Sequence, residues 1–317
     1  MSETILVCGH KNPDNDSICS AVAAANMHNI IAERERDRYS EEDFPVYKAV
    51  RLGPLPPESA WVLAQQGIEP PELIERIEPG QKIVLVDHNE PQQAVDGIEE
   101  ADIVEVVDHH RVAGLTTANP VKMVFMTWGC TATILTKMYE AYRVPITQHM
   151  ATIMLSAILT DTVITKSPTT TDTDREVIQQ LAHIAMVDAT EFGLKLFKQR
   201  GGEETMDIAK LVCADSKEFP VAGKTVLIAQ RETVDLPCVM AREDEMRSYM
   251  RDLVEEKGYE FVLLLVTDIM AEGSQFIVEG NPEIVEKTFG ITCQQGGTWM
   301  PGVLSRKKQV AAPLLQA

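Results

Sequence analysis

The sequence of 317 residues is poor in aromatic side chains, in basic residues and in long hydrophobic runs. Aromatic residues make up 5% of it, and 29 Lys and Arg face 48 Asp and Glu, which leaves a net charge of −19. This balance excludes a general nucleic-acid coat or an anionic-membrane binder, because both need a positive field. The most apolar stretch, 261–266, is far shorter than the roughly 20 residues that a membrane-spanning helix needs. A small anion held at one local site is not excluded.

Cysteines are few and widely spaced. The six of them form no C-x-x-C pair, which argues against a zinc ribbon and against a dense disulfide framework. The residues after Met1 lack the basic start and apolar core of a signal peptide. We therefore expect reduced thiols in a cytoplasmic protein.

Short β-branched runs alternate with helical stretches along the first part of the chain. The runs Ile5–Cys8, Lys82–Val86 and Ile103–Val107 are largely apolar, and each precedes a more polar segment. Strands of this kind, separated by helices, are typical of a parallel sheet covered on both faces. The sequence therefore predicts an α/β protein with a doubly wound, mainly parallel sheet.

A pair of glycines followed by acidic residues, within 200–204, is the best candidate for a linker. We expect one domain over 1–190, a helix end over 191–199 that leads into the linker, and a smaller α/β domain with a mixed sheet over 200–317. A strand pair is expected around Gly223. In the first domain, Thr173-x-x-Glu176 predicts a capping box at the start of a helix.

Three clusters of acids and histidines follow three of the predicted strands. They lie in the segments 9–17, 87–90 and 108–111 and contain His10, Asp14, Asp16, Asp87, Asp108, His109 and His110. In an open α/β sheet, the carboxyl ends of the strands are where ligands bind. A capped turn with a surface histidine explains any one cluster, but three clusters at three strand ends favour a shared site.

A fourth acid, Asp161, follows the apolar helical segment Met150–Leu159. Polarity at a helix end is the ordinary explanation, but a cation is the better one because isolated buried charge is costly. Carboxylates with imidazoles and no thiolate suit Mn²⁺, Co²⁺ or Mg²⁺. The acids exceed the needs of one ion, which suggests two ions sharing a carboxylate, an arrangement used for phosphoryl hydrolysis.

A basic run, Ser305–Lys308, stands out near the end of this acidic chain. A solvated surface tip is the usual explanation for such a run. Arginine, however, offers phosphate a bidentate fork, and lysine offers it a mobile point charge. Lys217 is an ordinary surface lysine by position and a candidate to join these cations.

Together, the motifs resemble those of the DHH phosphoesterase superfamily. The segments that look like its metal motifs are Gly9–Ser17, Asp87–Glu90, Asp108–Arg111 and Ser156–Thr162. Lys166–Thr171 and Ser305–Gln309 are similar to motifs of the family II, manganese-dependent inorganic pyrophosphatases. The resemblance runs in order along nearly the whole chain. It implies an N-terminal DHH domain, a C-terminal domain that closes on the substrate, and homodimers formed through the N-terminal domain.

The resemblance also implies a role for each site residue. One ion would be held by His10, Asp14 and Asp87, and the other by Asp16, Asp87, His109 and Asp161, with Asp87 bridging. Catalytic and substrate-binding roles would fall to His110, Lys217, Arg306 and Lys307, with Ser305 as a further substrate-binding residue. Asp108 is expected to orient an imidazole rather than to bind an ion.

The resulting hypothesis is hydrolysis of pyrophosphate at the domain interface, by a hydroxide that bridges two Mn²⁺ or Co²⁺ ions, with Mg²⁺ arriving with the substrate. The alternatives are a DHH-type phosphodiesterase or nuclease acting on short nucleotides, and a non-catalytic phosphate or metal sensor. Such nucleases resemble this chain only in the N-terminal half and typically carry a Gly-Gly-Gly-His motif, whereas residues 295–298 read Gln-Gly-Gly-Thr. Low aromatic content also disfavours base stacking. We expect no nucleic-acid and no membrane partner.

Overall fold

The computed structural model describes residues 3–316, which divide into two compact units, one up to Arg200 and one from Gly201 onward. The strands of the first unit are β1 (Glu3–Lys11), β2 (Pro45–Leu52), β3 (Glu72–Leu73), β4 (Lys82–Val86), β5 (Asp102–Asp108) and β6 (Lys122–Phe125). Its helices are α1 (Asn15–Arg34), α2 (Pro57–Gln65), α3 (Thr131–Ala141), α4 (Gln148–Asp161), α5 (Asp172–Ala185) and α6 (Ala189–Arg200).

The first unit is built on one parallel sheet. Its strands lie in the order β3-β2-β1-β4-β5-β6, and each neighbouring pair is parallel. The chain winds outward from β1 in one direction and from β4 in the other, so its direction reverses between these two strands. The carboxyl ends of strands beside such a switch point form a crevice in which α/β proteins bind ligands. The predicted doubly wound sheet is confirmed.

Helices α1 and α4 bring polar residues into the interior of this unit. Helix α1 begins after Asp14, whose carboxylate accepts a hydrogen bond from the Ser17 N–H at 2.9 Å. Helix α4 is buried along residues 150–160, because α1, α2, α3, α5 and α6 pack around it. Its last residue, Asp161, is therefore placed beside the protein core.

The capping box at the start of α5 is not the predicted one. Thr171 Oγ1 accepts a hydrogen bond from Asp174 N at 3.3 Å, and Asp174 Oδ2 accepts one from Thr171 N at 2.7 Å. The prediction of a box at Thr173 and Glu176 is wrong. Asp174 is fully buried and also accepts hydrogen bonds from Gly129 and Thr133, so contacts from elsewhere in the fold select where the helix begins.

The second unit carries a mixed sheet. Its strands are β7 (Ser216–Val221), β8 (Lys224–Thr233), β9 (Phe261–Asp268), β10 (Gly273–Gly280) and β11 (Thr298–Pro301). Its helices are α7 (Ile208–Cys213), α8 (Leu236–Met240), α9 (Glu243–Lys257), α10 (Glu283–Phe289) and α11 (Ala312–Leu314). The order is β11-β10-β9-β8-β7, in which β8 and β9 are parallel and the other pairs are antiparallel. The predicted mixed sheet is confirmed.

The central strand β9 explains how the second unit holds together. Seven of its eight residues are buried, because separate hydrophobic clusters cover the two faces of the sheet. The turn at Gly223 joins β7 to β8 and has a left-handed backbone (φ 76°), which glycine adopts without strain. Within residues 3–316, no helix combines the length and hydrophobicity needed to cross a membrane.

Candidate metal centre

Acidic and imidazole side chains gather at the carboxyl ends of β1, β4 and β5, beside the switch point of the first sheet. His10 lies near the end of β1, Asp87 follows β4 and His109 follows β5, while Asp161 reaches the same place from the end of α4. Asp87 has a left-handed backbone (φ 62°), and its N–H donates to the Val107 carbonyl at 2.9 Å. Non-glycine residues adopt this conformation rarely, and they do so preferentially at functional sites.

Three groups of side chains that could hold an ion share the carboxylate of Asp87. Two of them contain the six predicted ligands, and the third adds His110 to Asp87 and His109. Within each group, the candidate ligand atoms lie within 4.8 Å of one another. The first group is His10, Asp14 and Asp87, and the second is Asp16, Asp87, His109 and Asp161. Asp87 Oδ2 lies 3.5 Å from His10 Nε2, and Asp87 Oδ1 lies 3.3 Å from His109 Nε2. The structure thus brings the six predicted ligands together, with one Asp87 oxygen facing each group.

Backbone carbonyls orient both imidazoles. His10 Nδ1 lies 2.8 Å from the Lys11 carbonyl oxygen, and His109 Nδ1 lies 3.0 Å from that of Trp128. A carbonyl can only accept, so in the neutral ring the proton sits on Nδ1 and the Nε2 lone pair faces the carboxylates. This is the arrangement in which a histidine presents Nε2 to a metal ion.

Asp16 also has an ordinary structural role. Its carboxylate accepts hydrogen bonds from Thr131 N at 2.7 Å and Ala132 N at 3.2 Å, at the start of α3, and from Ser20 Oγ at 2.7 Å. Thr131 Oγ1 in turn donates to Asp87 Oδ1 at 3.1 Å. The beginning of α3 therefore positions Asp16 and Asp87 together, whether or not an ion is bound.

The protein compensates the charge of these acids unevenly. Burial and the nearby Asp87 carboxylate raise the pKa of Asp16 to about 7. Burial, reinforced by the Asp16 carboxylate, raises the pKa of Asp161 well above its ordinary value. Burial also opposes ionisation of Asp87, but the adjacent imidazoles of His10 and His109 outweigh it and hold the Asp87 pKa below its usual range. The fold alone therefore stabilises one carboxylate and favours protonation of its two neighbours.

The histidines respond to the same negative charge. Burial lowers their pKa, but nearby carboxylates outweigh burial in both cases. Asp14 and Asp87 raise the pKa of His10 to about 11, and Asp87 and Asp16 raise that of His109 to about 9. The carboxylates therefore favour the protonated, positively charged form of both rings.

These properties fit divalent cations. Asp87 Oδ2 is buried and has no hydrogen-bond partner among residues 3–316, and an ion would supply one. The imidazole–carboxylate separations in the two groups are 3.3 to 3.8 Å, and neighbouring oxygens around an octahedral ion bound at ~2.1 Å lie about 3 Å apart. Oxygen and imidazole ligands without a thiolate suit Mn²⁺, Co²⁺ or Mg²⁺ better than a softer metal.

His110 lies beside the same centre but is held differently. Its side chain is 54% exposed, and its Nδ1 and backbone N each lie 3.0 Å from Asp108 Oδ1. The hydrogen bond to Asp108 raises the pKa of His110. Asp108 thus contacts the His110 imidazole, and it belongs to neither of the two ligand groups described above.

The predicted substrate-binding cations lie in the second unit. Arg306 Nη2 lies 2.8 Å from Asp215 Oδ1, and Nη1 donates to the Asp215 carbonyl at 2.6 Å. Ser305 Oγ accepts a hydrogen bond from Lys308 N at 3.3 Å, which caps a short helical turn. Lys217, on β7, and Lys307 are exposed. The guanidinium is therefore held by internal bonds, whereas the two ammonium groups face solvent.

Sequence reasoning missed the side chains that support the acids. Asn89 Nδ2 donates to Asp108 Oδ2 at 2.6 Å and to the Arg111 carbonyl at 2.8 Å, which shapes the segment around His109 and His110. An amide next to a predicted ligand, just after a strand, is a signal that could have found it. Thr131 offers no such signal, because it is 44 residues from the Asp87 that it contacts.

Comparisons with known proteins agree with this arrangement. Residues 4–158 match the DHH family, N-terminal domain, and residues 194–317 match the DHHA2 domain. The manganese-dependent inorganic pyrophosphatase of Bacillus subtilis is 40% identical over 317 residues, which cover 99% of this chain and 99% of that protein. A protein of the same name from Methanocaldococcus jannaschii is 37% identical over 320 residues, which cover 98% of each. The crystal structure of a candidate family II inorganic pyrophosphatase from Methanococcus jannaschii covers 100% of this chain and 99% of its own, with 35% identity and a TM-score of 0.58.

Asp87→Asn is expected to weaken both ions together, because each oxygen of Asp87 faces a different group. Asparagine keeps the shape but replaces one of those oxygens with a nitrogen that cannot ligate. With Mn²⁺ as the probe, we expect two ions per chain in the dialysed wild-type protein, measured by atomic absorption, and nearly none in the variant. Asp96→Asn, at an exposed acid paired with Lys11, is the matched control. Loss of only one ion would contradict a shared ligand.

Mn²⁺ affinity is expected to rise with pH, because the ion must displace protons from Asp16 and His109. A carboxyl with a pKa of about 7 contributes roughly tenfold in affinity between pH 6 and pH 8, and His109, with its pKa of about 9, adds to this in the same direction. Calorimetric titration in two buffers of different ionisation heat would count the protons released. Binding that is independent of pH and releases no proton would show that the ion does not use these groups.

Proposed function

This chain belongs to the family of manganese-dependent inorganic pyrophosphatases, and on that premise we propose that it hydrolyses inorganic pyrophosphate to two phosphates. The observation that carries the proposal is the carboxylate of Asp87, which presents one oxygen to each of two ligand groups. Two divalent ions bound close together supply a nucleophile at neutral pH and neutralise the charge that develops on phosphoryl oxygens.

The first group, His10, Asp14 and Asp87, is assigned to one Mn²⁺, and the second, Asp16, Asp87, His109 and Asp161, is assigned to the other. Co²⁺ accepts the same ligands and is the alternative ion, while Mg²⁺ is expected to arrive with the pyrophosphate. The Asp87 oxygen without a hydrogen-bond partner supports these assignments, because it is a buried acceptor that an ion would satisfy. The raised pKa values of Asp16 and Asp161 support them too, because they mark carboxylates whose ionised form the protein alone does not stabilise.

His110 is proposed to donate a proton to the leaving phosphate. Its exposed ring is oriented through Nδ1 by Asp108, which leaves Nε2 available to the substrate. Asp108 also raises the pKa of His110, so more of the ring is protonated near neutral pH. An oriented, protonated imidazole suits a general acid.

Ser305, Arg306, Lys307 and Lys217 are proposed to bind the phosphate oxygens. Arg306 supports this role because Asp215 holds its guanidinium in one orientation, which reduces the entropy lost when an anion binds. The exposed ammonium groups of Lys217 and Lys307 supply mobile positive charge in an acidic protein. Neither a nuclease acting on short nucleotides nor a non-catalytic sensor is favoured, since the named relatives match across both domains.

A homodimer formed through the first unit is also proposed. Strand β6 lies at the edge of its sheet, and Met123 and Met126 at this edge are 44% and 43% exposed. An unpaired strand edge flanked by apolar side chains suits pairing with a second copy. The six cysteines are free, which fits the proposed cytoplasmic location.

Phosphate release from pyrophosphate tests the main proposal. Treatment with a chelator is expected to abolish the activity, and Mn²⁺ is expected to restore it. A dinucleotide offered in the same assay should remain uncleaved. Undiminished activity in chelator would contradict a metal-dependent reaction. Preferential cleavage of the dinucleotide would show that pyrophosphate is not the substrate.

Lys307→Ala is expected to raise the KM for pyrophosphate by about tenfold to 100-fold, the range that follows from losing one hydrogen bond to a charged group. Mn²⁺ content should not change, because Lys307 lies in neither ligand group. Lys308→Ala, at the neighbouring exposed lysine, is the matched control and should leave KM nearly unaltered. A variant at Lys307 that loses its metal would show that the residue has a different role.

A further inference from the structure

Asn15 is a buried amide whose hydrogen bonds link three helices. It is fully buried at the first position of α1. Its Oδ1 accepts a hydrogen bond from Ser59 Oγ, on α2, at 2.9 Å and one from Cys19 Sγ at 3.4 Å. Its Nδ2 donates to Ser156 Oγ at 3.1 Å and to Thr160 Oγ1 at 3.3 Å, both on α4.

These four bonds match the full capacity of a primary amide, which has two donor hydrogens and an oxygen that accepts two bonds. Burying an amide is costly unless it is hydrogen-bonded. A satisfied polar network in the interior specifies one arrangement of the elements that it joins. Asn15 therefore links the start of α1 to the end of α4.

The position of Asn15 gives this link a consequence for the metal centre. It stands between Asp14, of the first ligand group, and Asp16, of the second. Its partner Thr160 is followed directly by Asp161, also of the second group. Asp16 and Asp161 are carried by different helices, so the distance between their carboxylates depends on how α1 and α4 are held together.

We propose that Asn15 is a positioning residue that holds Asp16 and Asp161 at the separation that the second ion requires. The amide ties the two helices through its bonds to Ser156 and Thr160, close to Asp161 at the end of α4. The first group depends on it less. None of its members, His10, Asp14 and Asp87, lies on α4. This inference rests on the proposed two-ion centre.

Asn15→Leu tests the proposal, because leucine has a similar volume and removes all four bonds. We expect the affinity for the second Mn²⁺ to fall about tenfold to 100-fold, the range typical of losing a residue that orients metal ligands. The affinity for the first should change much less. Electron paramagnetic resonance gives a readout that general destabilisation does not reproduce: the spectrum of a coupled Mn²⁺ pair should be replaced by that of an isolated ion.

Asn29→Leu is the matched control. Asn29 lies farther along α1, and its amide makes two backbone hydrogen bonds with Tyr47, each of 2.8 Å. This variant is expected to lower the melting temperature while it retains both ions. Thr160→Val changes the other end of the link and should reproduce part of the Asn15→Leu effect. It also keeps the proposal testable if Asn15→Leu does not fold.

Equal weakening of both ions in Asn15→Leu, or unchanged binding in Asn15→Leu or in Thr160→Val, would overturn the role of Asn15. These outcomes differ from a failure of the proposed function, which would show in the wild-type protein itself. A wild type that binds fewer than two Mn²⁺, or that does not hydrolyse pyrophosphate, would contradict the two-ion centre before any variant is compared.

Discussion

Mutual repulsion among buried carboxylates is the constraint on which the first unit depends. Asp16, Asp87 and Asp161 present oxygens within 4.8 Å of one another, where water cannot screen them well. Two imidazoles beside Asp87, and the N–H groups at the start of α3 beside Asp16, reduce this repulsion. These contacts leave negative charge uncompensated, and a pair of divalent cations has the charge to balance it.

The topology of the sheet decides that these acids meet. The ends of β1, β4 and β5 are neighbours because the chain reverses direction at the switch point, and residues far apart in sequence converge there. Helix α4 adds a candidate ligand from outside the sheet, because its burial among five other helices places Asp161 at the crevice. The amide of Asn15 then joins this helix to α1. Each acid thus belongs to a different rigid element, and the contacts between elements set the distances between ligands.

Much of this arrangement could be predicted from local patterns. Apolar strands, a glycine pair and clusters of acids and histidines each occupy a few consecutive residues, so the parallel sheet and the candidate ligands could be read directly. Strand β2 escaped notice because Lys48 and Arg51 interrupt its apolar run. The capping box at Thr171 escaped notice because two threonines fit the spacing rule, and only the burial of Asp174 chooses between them. The contact of Arg306 with Asp215 spans 91 residues and has no local signature.

The sequence by itself determined the chemistry of this protein, because the residue types at the strand ends fix which ligands and which proton donors are available. Only the tertiary structure decided which atoms contact each other. It sets which Asp87 oxygen faces which ligand group and which backbone carbonyl orients each histidine. It also sets which hydroxyl groups form hydrogen bonds with Asn15. The physical reason is that charge and hydrogen-bonding capacity belong to single residues. Distance and burial arise only when separate elements pack together.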